Sequence, residues 1–312
     1  MKTQNLVKAI LLLILAATIS CKTGKINQVK EDNKELATVV DQYFNERMQM
    51  YPLEATTNGD NRFNNLLPAN FTDSYQSKLI AFFKRYQASL DPFKREQLND
   101  RDKITYDILR YEIEINLEGL IKYHCSSIGG YMWENRNFPF DQFNGVPILL
   151  GSMGGGTAEQ PFKTLIDYDN WLQRASAFSA WTDSALVYFK KGMAANYVLP
   201  KAVVIKMIPQ MQAMVTDSAE KSLFYEPVRL MPASFSEADK KRLITAFTDL
   251  INQLLVPSYN KLAVFLQTEY LPKARITAGI NALPDGENYY SYLVKYWTTT
   301  NKTPDEIYRT GI

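Results

Sequence analysis

Apolar side chains recur at helical spacing through the first third of the chain. Three such stretches are separated by proline-containing breaks, at Tyr51-Pro52 and at Asp91-Pro92. Thr72 precedes the second stretch and Asn99 the third, and both residue types favour the N-cap of a helix. The pattern predicts three helices, with these apolar positions: Leu36, Val39, Val40, Tyr43, Phe44 and Met48; Tyr75, Leu79, Phe82, Phe83 and Tyr86; Ile104, Ile108, Ile115 and Leu120.

The helical period disappears between residues 125 and 161, where Gly, Pro, Asn and Phe accumulate. Short apolar runs without a helical period favour a strand, and we predict one at residues 146–150. The glycine-rich run at residues 151–156 predicts a flexible loop. It is not a phosphate-binding loop, because it continues into Thr157-Ala158-Glu159 rather than into a lysine followed by a hydroxyl residue.

Helical spacing resumes after this segment and continues almost to the end of the chain. One helix is predicted from Trp171 to about Ala195, and another begins at Pro200. Ser236 is the predicted N-cap of a further helix, which Pro257 restarts toward Leu271. The sequence therefore predicts an all-α fold, a multi-helix body with an irregular central insertion.

The amino terminus has the features of a targeting segment. Lys2 and Lys8 precede an apolar run at residues 9–17, which is shorter than the about 20 residues that span a bilayer. The run ends at Ser20-Cys21, which resembles the lipid-attachment site of a bacterial lipoprotein; an ordinary signal cleaved near Ser20 is the alternative. We divide the chain into a signal with its lipid-attachment cysteine at 1–21, a flexible tether at 22–34 and a helical domain at 35–312.

Composition excludes several classes of protein. Basic residues (35 Lys+Arg) nearly balance acidic ones (33 Asp+Glu), and no basic run suggests a nucleic-acid partner. His124 is the single histidine, so a two-histidine zinc site cannot form from this chain. Glu114 and Glu118 lie one helical turn apart, but such pairs are usually a solvated helix face. We predict no catalytic residue, no metal ligand and no cofactor in this chain.

Several stretches of sequence resemble the bacterial family called domain of unknown function 885. They are residues 51–59, 167–174, 275–279, 283–290 and 298–307, with Gly311. Members of that family are similar to helical zinc metallopeptidases, so the resemblance implies the amino-terminal half of such a fold. It also implies zinc in full-length members only, bound by a histidine-glutamate motif that this chain lacks. By the same resemblance Tyr289, Tyr290 and Thr299 belong to a substrate groove.

The last helix signal of the sequence stands close to its end. Thr303-Pro304-Asp305-Glu306 predicts the start of a helix, and six residues follow it. We therefore expect a truncated chain whose missing carboxy-terminal half would be a partner. Two apolar stripes are then expected to lie exposed without it: Trp171, Phe178 and Trp181; Phe247, Leu250 and Leu254.

Two functions remain open from the sequence. In the first, the chain is a cell-envelope lipoprotein on the periplasmic or outer-membrane face, anchored to the bilayer through Cys21. It would form one wall of a peptide-binding cleft in a metallopeptidase-like protein, and it would be inactive alone. In the second, the chain is a helical, aromatic-rich nutrient-binding lipoprotein, which its 19 Tyr and 16 Phe also suit.

The lipid-attachment site gives a direct test. Cells that express the chain should incorporate labelled fatty acid into it, and the Cys21→Ala variant should lose the label because the thiol that carries the lipid is gone. Equal labelling of both forms, measured on the purified proteins, would contradict the assignment.

Overall fold

A computed structural model of the chain describes residues 31–129, 132–156 and 158–312. The predicted lipid-attachment residue Cys21 and most of the predicted tether lie outside these residues. Within them helices predominate, and a small antiparallel hairpin is the only sheet. The all-α prediction is confirmed. Among the described residues, no helix has both the length and the apolar character needed to cross a bilayer.

The amino-terminal third forms a layer of helices with its own core. Its helices are α1 (Lys34–Met50), α2 (Pro52–Thr57), α3 (Asp73–Leu90) and α4 (Asp100–Glu118). Buried aromatic and aliphatic side chains from α1, α3 and α4 meet between them: Leu36, Tyr43, Leu79, Phe82, Phe83, Tyr86, Leu109, Ile113. The three long predicted helices are therefore confirmed. Helices α1 and α3 bury or half-bury most of the apolar positions that defined them. In α4 the buried face differs from the prediction, because Ile104 and Ile108 are exposed while Leu109 and Ile113 are buried.

The N-caps of these helices agree only in part with the sequence. The Asn99 side chain accepts a hydrogen bond from the Asp102 backbone N–H at 2.7 Å, as a cap should. Thr72 occupies the cap position of α3, but its hydroxyl donates to the Ala69 carbonyl at 2.8 Å instead. The helix begins where the sequence predicted, without the predicted capping bond.

The larger body follows the hairpin, which consists of β1 (Cys125–Gly129) and β2 (Met132–Asn135). Its α-helices begin and end as follows: α5 (Val146–Gly154), α6 (Leu165–Ser176), α7 (Phe178–Ala194), α8 (Lys201–Gln212), α9 (Glu226–Arg229), α10 (Glu237–Leu250), α11 (Val256–Phe265), α12 (Gly286–Thr298) and α13 (Pro304–Thr310). Helices α5 to α8 and α10 to α11 surround the largest apolar core of the described chain.

The strand predicted at residues 146–150 is wrong, because this segment is the first part of helix α5. Val146, Leu150 and Met153 are spaced at helical intervals and all three are buried. The glycine run, predicted to be a flexible loop, continues the same helix to Gly154. A Cβ atom at Gly154 would lie 2.5 Å from both Trp171 and Phe224, so glycine here permits close packing rather than flexibility.

The continuous helix predicted from Trp171 to Ala195 is instead two helices, α6 and α7, that meet at Ala177. The expectation that two apolar stripes lie exposed is also wrong. Trp171, Phe178 and Trp181 are buried in the large core, and so are Phe247 and Leu250, while Leu254 is half-buried against it. Helices α6, α7, α10 and α11 cover one another's apolar faces.

Pro257 does not start a new helix. Helical backbone runs from α10 into α11 through a π-helical turn at Ile251–Leu255, and Pro257 stands at the beginning of α11. Proline lacks an N–H and its ring crowds the carbonyl four residues earlier. A wider π turn directly before it relieves this conflict, so the chain passes the proline without leaving the helix.

Arg174 joins the amino-terminal layer to the larger body. Its guanidinium is fully buried and donates to the carbonyls of Pro52, Phe63 and Leu66 at 3.3, 2.7 and 3.0 Å. It also donates to the Thr56 hydroxyl at 2.9 Å and the Gln160 amide oxygen at 2.7 Å. Burial lowers the pKa of Arg174 to about 9, so the side chain keeps its charge at neutral pH and neutral oxygens solvate it.

Arg174→Lys should destabilise the protein by about 2 to 4 kcal/mol. A lysine ammonium cannot reproduce the planar fork of five donors, and several buried oxygens would lose their partners. Urea unfolding followed by circular dichroism measures this free energy. Arg242→Lys is the matched control: Arg242 pairs with Asp169 at the exposed surface, and its change should cost less than about 1 kcal/mol. Similar losses in both variants would contradict the role of Arg174.

Candidate binding pocket

A pocket of about 300 Å³ lies between helix α12, the hairpin and the segments around residues 140 and 199. Aromatic and aliphatic side chains form most of its wall, and three polar side chains interrupt them. The lining residues are Trp133, Phe138, Asp141, Asn144, Val198, Leu199, Arg275, Ile280, Leu283, Tyr289, Leu293 and Trp297. Mostly apolar concave sites with a few placed polar groups are typical ligand pockets.

The tight turn before α12 brings this helix against the hairpin. The Gly286 N–H donates to the Leu283 carbonyl at 2.9 Å, and Asp285 has a φ of 56°. A Cβ atom on Gly286 would lie 2.1 Å from the Ile280 carbonyl oxygen, so only glycine fits here. The turn that Pro284-Asp285-Gly286 predicted is therefore present, and it sets the direction in which α12 leaves.

Tyr289 and its neighbours form the floor of the pocket. Tyr289 is 2% exposed, and its ring stacks on Tyr123 with 5.2 Å between ring centroids. Burial raises the pKa of Tyr289 well above its ordinary value, although the Trp133 and Asn135 side chains oppose the shift. The phenol thus stays protonated at physiological pH and acts as a fixed hydrogen-bonding group, not as a base.

Trp297 and Trp133 form the opposite part of the wall. Their ring centroids are 6.3 Å apart, and the Tyr296 ring packs on Trp133 at 4.6 Å. Trp297 is 57% exposed, which leaves a large part of its indole available to a ligand. The sequence analysis did not select either tryptophan, because nothing in the local pattern distinguishes a pocket tryptophan from a core one.

The structure separates the three residues that the sequence assigned to a groove. Tyr289 lines the pocket, whereas Tyr290 is 47% exposed and is not among the lining residues. Thr299 directly follows α12, has a φ of 53° and is also exposed, two residues beyond Trp297. The assignment of all three to a substrate groove remains a prediction.

Arg275 is the cation of the pocket, and the chain holds it firmly. Its Nε donates to the Val198 carbonyl at 3.0 Å, and its Nη1 donates to the carbonyls of Thr277 and Gly279 at 2.6 and 2.7 Å. Its own backbone pairs with the segment around Pro200. Partial burial lowers the pKa of Arg275. The sequence placed Arg275 in a family-like stretch but gave it no role.

The other charged residue of the pocket, Asp141, accepts hydrogen bonds from its own loop. Both carboxylate oxygens of Asp141 accept from the Asn144 side-chain amide, and one also accepts from the backbone N–H groups of Phe143 and Asn144. Asp141 thus stabilises the turn at residues 141–144, and this turn shapes the rim of the pocket.

The remaining candidates from the sequence have structural partners. His124 is half-buried with a φ of 53°, and its carbonyl accepts from the Gln76 amide and the Arg136 N–H. Glu114 pairs with Arg110, and Glu118 pairs with Lys122 and Lys295. Within the described ranges, no three His, Cys, Asp or Glu side chains are grouped so that they could hold a metal ion.

Comparison with known proteins places the chain in a family. Residues 52–312 match the family described as "Bacterial protein of unknown function (DUF885)". This match covers most of the chain, which therefore belongs to that family. The resemblance drawn from the sequence is confirmed at this level. A search of curated proteins finds no match.

Two solved structures share the fold. One is a "putative lipoprotein" from Colwellia psychrerythraea, with a TM-score of 0.71 and 18% identity over 88% of this chain and 47% of the other. The second is a "putative lipoprotein of unknown function" from Shewanella oneidensis, with a TM-score of 0.54 and 16% identity over 88% of this chain and 44% of the other. The chain thus spans about half the length of these proteins.

Glu134 lies beside the pocket on the opposite face of the hairpin. It follows Trp133 on β2, so its side chain points away from α12. The carboxyl group is 2% exposed, and neither oxygen has a hydrogen-bond partner within the described part of the chain. Burial raises the pKa of Glu134 well above its ordinary value. Burial thus favours the protonated form of the Glu134 carboxyl in the folded protein relative to the unfolded chain.

This difference predicts a pH dependence of stability. Above about pH 4.3, the unfolded chain releases the Glu134 proton while the folded chain keeps it, so rising pH favours unfolding. The limit for one group is about 1.4 kcal/mol per pH unit. Glu134→Gln should remove this contribution, and its melting temperature relative to wild type should rise from pH 5 to pH 8.

Glu114→Gln is the control, because Glu114 forms an exposed ion pair with Arg110. Thermal unfolding of the three proteins in a series of buffers measures the effect. An unchanged difference between wild type and Glu134→Gln across the pH range would mean that Glu134 is ionised in the folded protein.

Proposed function

We propose that the chain is the amino-terminal portion of a lipid-anchored, metallopeptidase-like protein of the cell envelope and forms one wall of its peptide-binding cleft. The portion is inactive alone. It supplies binding surface, since one histidine is too few for the zinc motif of such enzymes. Zinc would be bound by other residues of full-length proteins.

The composition of the pocket wall carries this proposal. Leu199, Ile280, Leu283 and Leu293 lie among aromatic rings, and the polar groups are few. Such a wall suits a bulky apolar side chain, which gains by leaving water. An oligosaccharide needs many hydrogen bonds to its hydroxyls. The polar side chains here offer few, because the Asn144 amide N–H groups already donate to Asp141, which leaves mainly the Asn144 Oδ1 and Arg275.

The location rests on separate observations. The amino-terminal run that ends at Cys21 resembles a lipoprotein signal, and two proteins of similar fold are named "putative" lipoproteins. A lipid on Cys21 would hold the helical domain at a membrane surface through the tether at 22–34. Single lipid chains bind membranes reversibly, so a stable anchor requires more than one chain.

The alternative is a nutrient-binding lipoprotein, in which the exposed indole of Trp297 would stack on a sugar ring. Trp297 is more exposed than the other aromatic residues of the pocket. The two functions differ in ligand, so a direct comparison of ligands separates them.

The full chain in detergent micelles should bind short peptides with a bulky apolar residue, measured by isothermal titration calorimetry. Trp297→Ala should weaken this binding roughly three- to tenfold, because an aromatic contact contributes about 0.5 to 1.5 kcal/mol beyond its buried area. Tyr308→Ala removes another exposed aromatic side chain, outside the pocket, and should leave binding unchanged. Binding of oligosaccharides but not of peptides would favour the nutrient-binding alternative.

A further inference from the structure

The guanidinium of Arg275 has N–H donors that do not bond to the described part of the chain. Its Nε and Nη1 are bound to backbone carbonyls, as described above, but its Nη2 makes no hydrogen bond to any described residue. No carboxylate of the described chain lies within ion-pair distance of it. The side chain is half-buried and lines the pocket. A partly desolvated cation with free N–H groups favours an anionic partner.

The surroundings of Arg275 keep it in place for such a partner. Three backbone carbonyls fix the plane of the guanidinium, so little side-chain freedom remains to be lost on binding. The nearest acid of the pocket, Asp141, has both oxygens engaged by Asn144 and does not pair with Arg275. The positive charge therefore remains available inside a largely apolar wall.

The apolar wall of the pocket and the Arg275 cation together define a chemical class of ligand. Arginine N–H groups form charge-assisted hydrogen bonds with carboxylates, and Nη2 offers two N–H donors for such bonds. Aromatic side chains, among them Tyr289 and Trp297, line the same pocket and accept a bulky apolar group. A ligand that carries both groups next to each other would use the pocket fully.

We propose that Arg275 anchors a carboxylate of the bound peptide, adjacent to a bulky apolar side chain that the aromatic wall receives. The carboxylate is the free carboxy terminus or an acidic side chain. This inference rests on the proposed peptide-binding function and adds the charge of the peptide to it. Arg275 thus determines specificity by binding the ligand directly.

Three peptides test the proposal on the unmodified full chain in detergent micelles. They are acetyl-Ala-Ala-Phe with a free carboxy terminus, the same peptide as its amide, and acetyl-Ala-Ala-Phe-Glu amide. Calorimetry should show the free acid binding about tenfold or more tightly than the amide, as a charge-assisted hydrogen bond implies. The glutamate peptide shows whether a side-chain carboxylate serves equally. Added salt should reduce the difference.

The outcomes separate this inference from the function on which it rests. Equal binding of all three peptides would overturn the role of Arg275 and leave peptide binding intact. Binding of none would overturn both. Tighter binding of the acid, the glutamate peptide or both supports the proposal and identifies the source of the carboxylate.

Two variants complete the test. Arg275→Gln should remove the preference for the carboxylate, whereas Lys273→Gln removes an exposed positive charge two residues away and should retain it. Arg275 also holds three carbonyls, so the variant could disturb its loop. The comparison of peptides on the wild-type chain does not depend on it, and a preference that survives in a folded Arg275→Gln protein would contradict the proposal.

Discussion

The buried guanidinium of Arg174 is the interaction on which the arrangement of the two helical parts depends. Its N–H groups donate to oxygens of four residues of the amino-terminal part, while its own helix lies in the larger core. These residues are Pro52, Thr56, Phe63 and Leu66. A buried charge without partners is very costly, so the folded state is stable only when these segments are all in place. One side chain thereby couples the positions of a short helix, a turn and a long helix.

Arg275 stabilises the pocket through hydrogen bonds from its guanidinium, as Arg174 stabilises the core. Its guanidinium donates to three backbone carbonyls and to the Thr277 hydroxyl, and these hydrogen bonds fix the segment that leads from the body to α12. Both arginines lie in stretches that resemble the family, at 167–174 and 275–279. The two arginines differ in exposure. Arg174 is fully buried and all its N–H donors bond to the fold, whereas Arg275 is half-buried and its Nη2 remains available to a ligand.

Membership of the family and the all-helical fold leave the chemistry of the whole protein open. The chain spans about half the length of the two lipoprotein structures that share its fold. The described residues contain a pocket lined largely by aromatic and aliphatic side chains, with the Arg275 cation held in its wall by backbone carbonyls.

Local signals in the sequence determined most of the helices. Caps such as Asn99 and Ser236, and apolar spacing along α1 and α3, act within one helix, so the sequence alone reveals them. The same reasoning failed at α5, where Val146 to Leu150 suits a strand or a buried helix equally and only its packing on Trp171 and Phe224 decides. The sequence predicted the turn before α12, and one of its three groove candidates, Tyr289, lies in the pocket wall. It did not select Trp133 or Trp297, and it gave Arg275 no role. Contacts such as Arg174 to Pro52 join residues 122 positions apart, and no local pattern records which distant segments will meet.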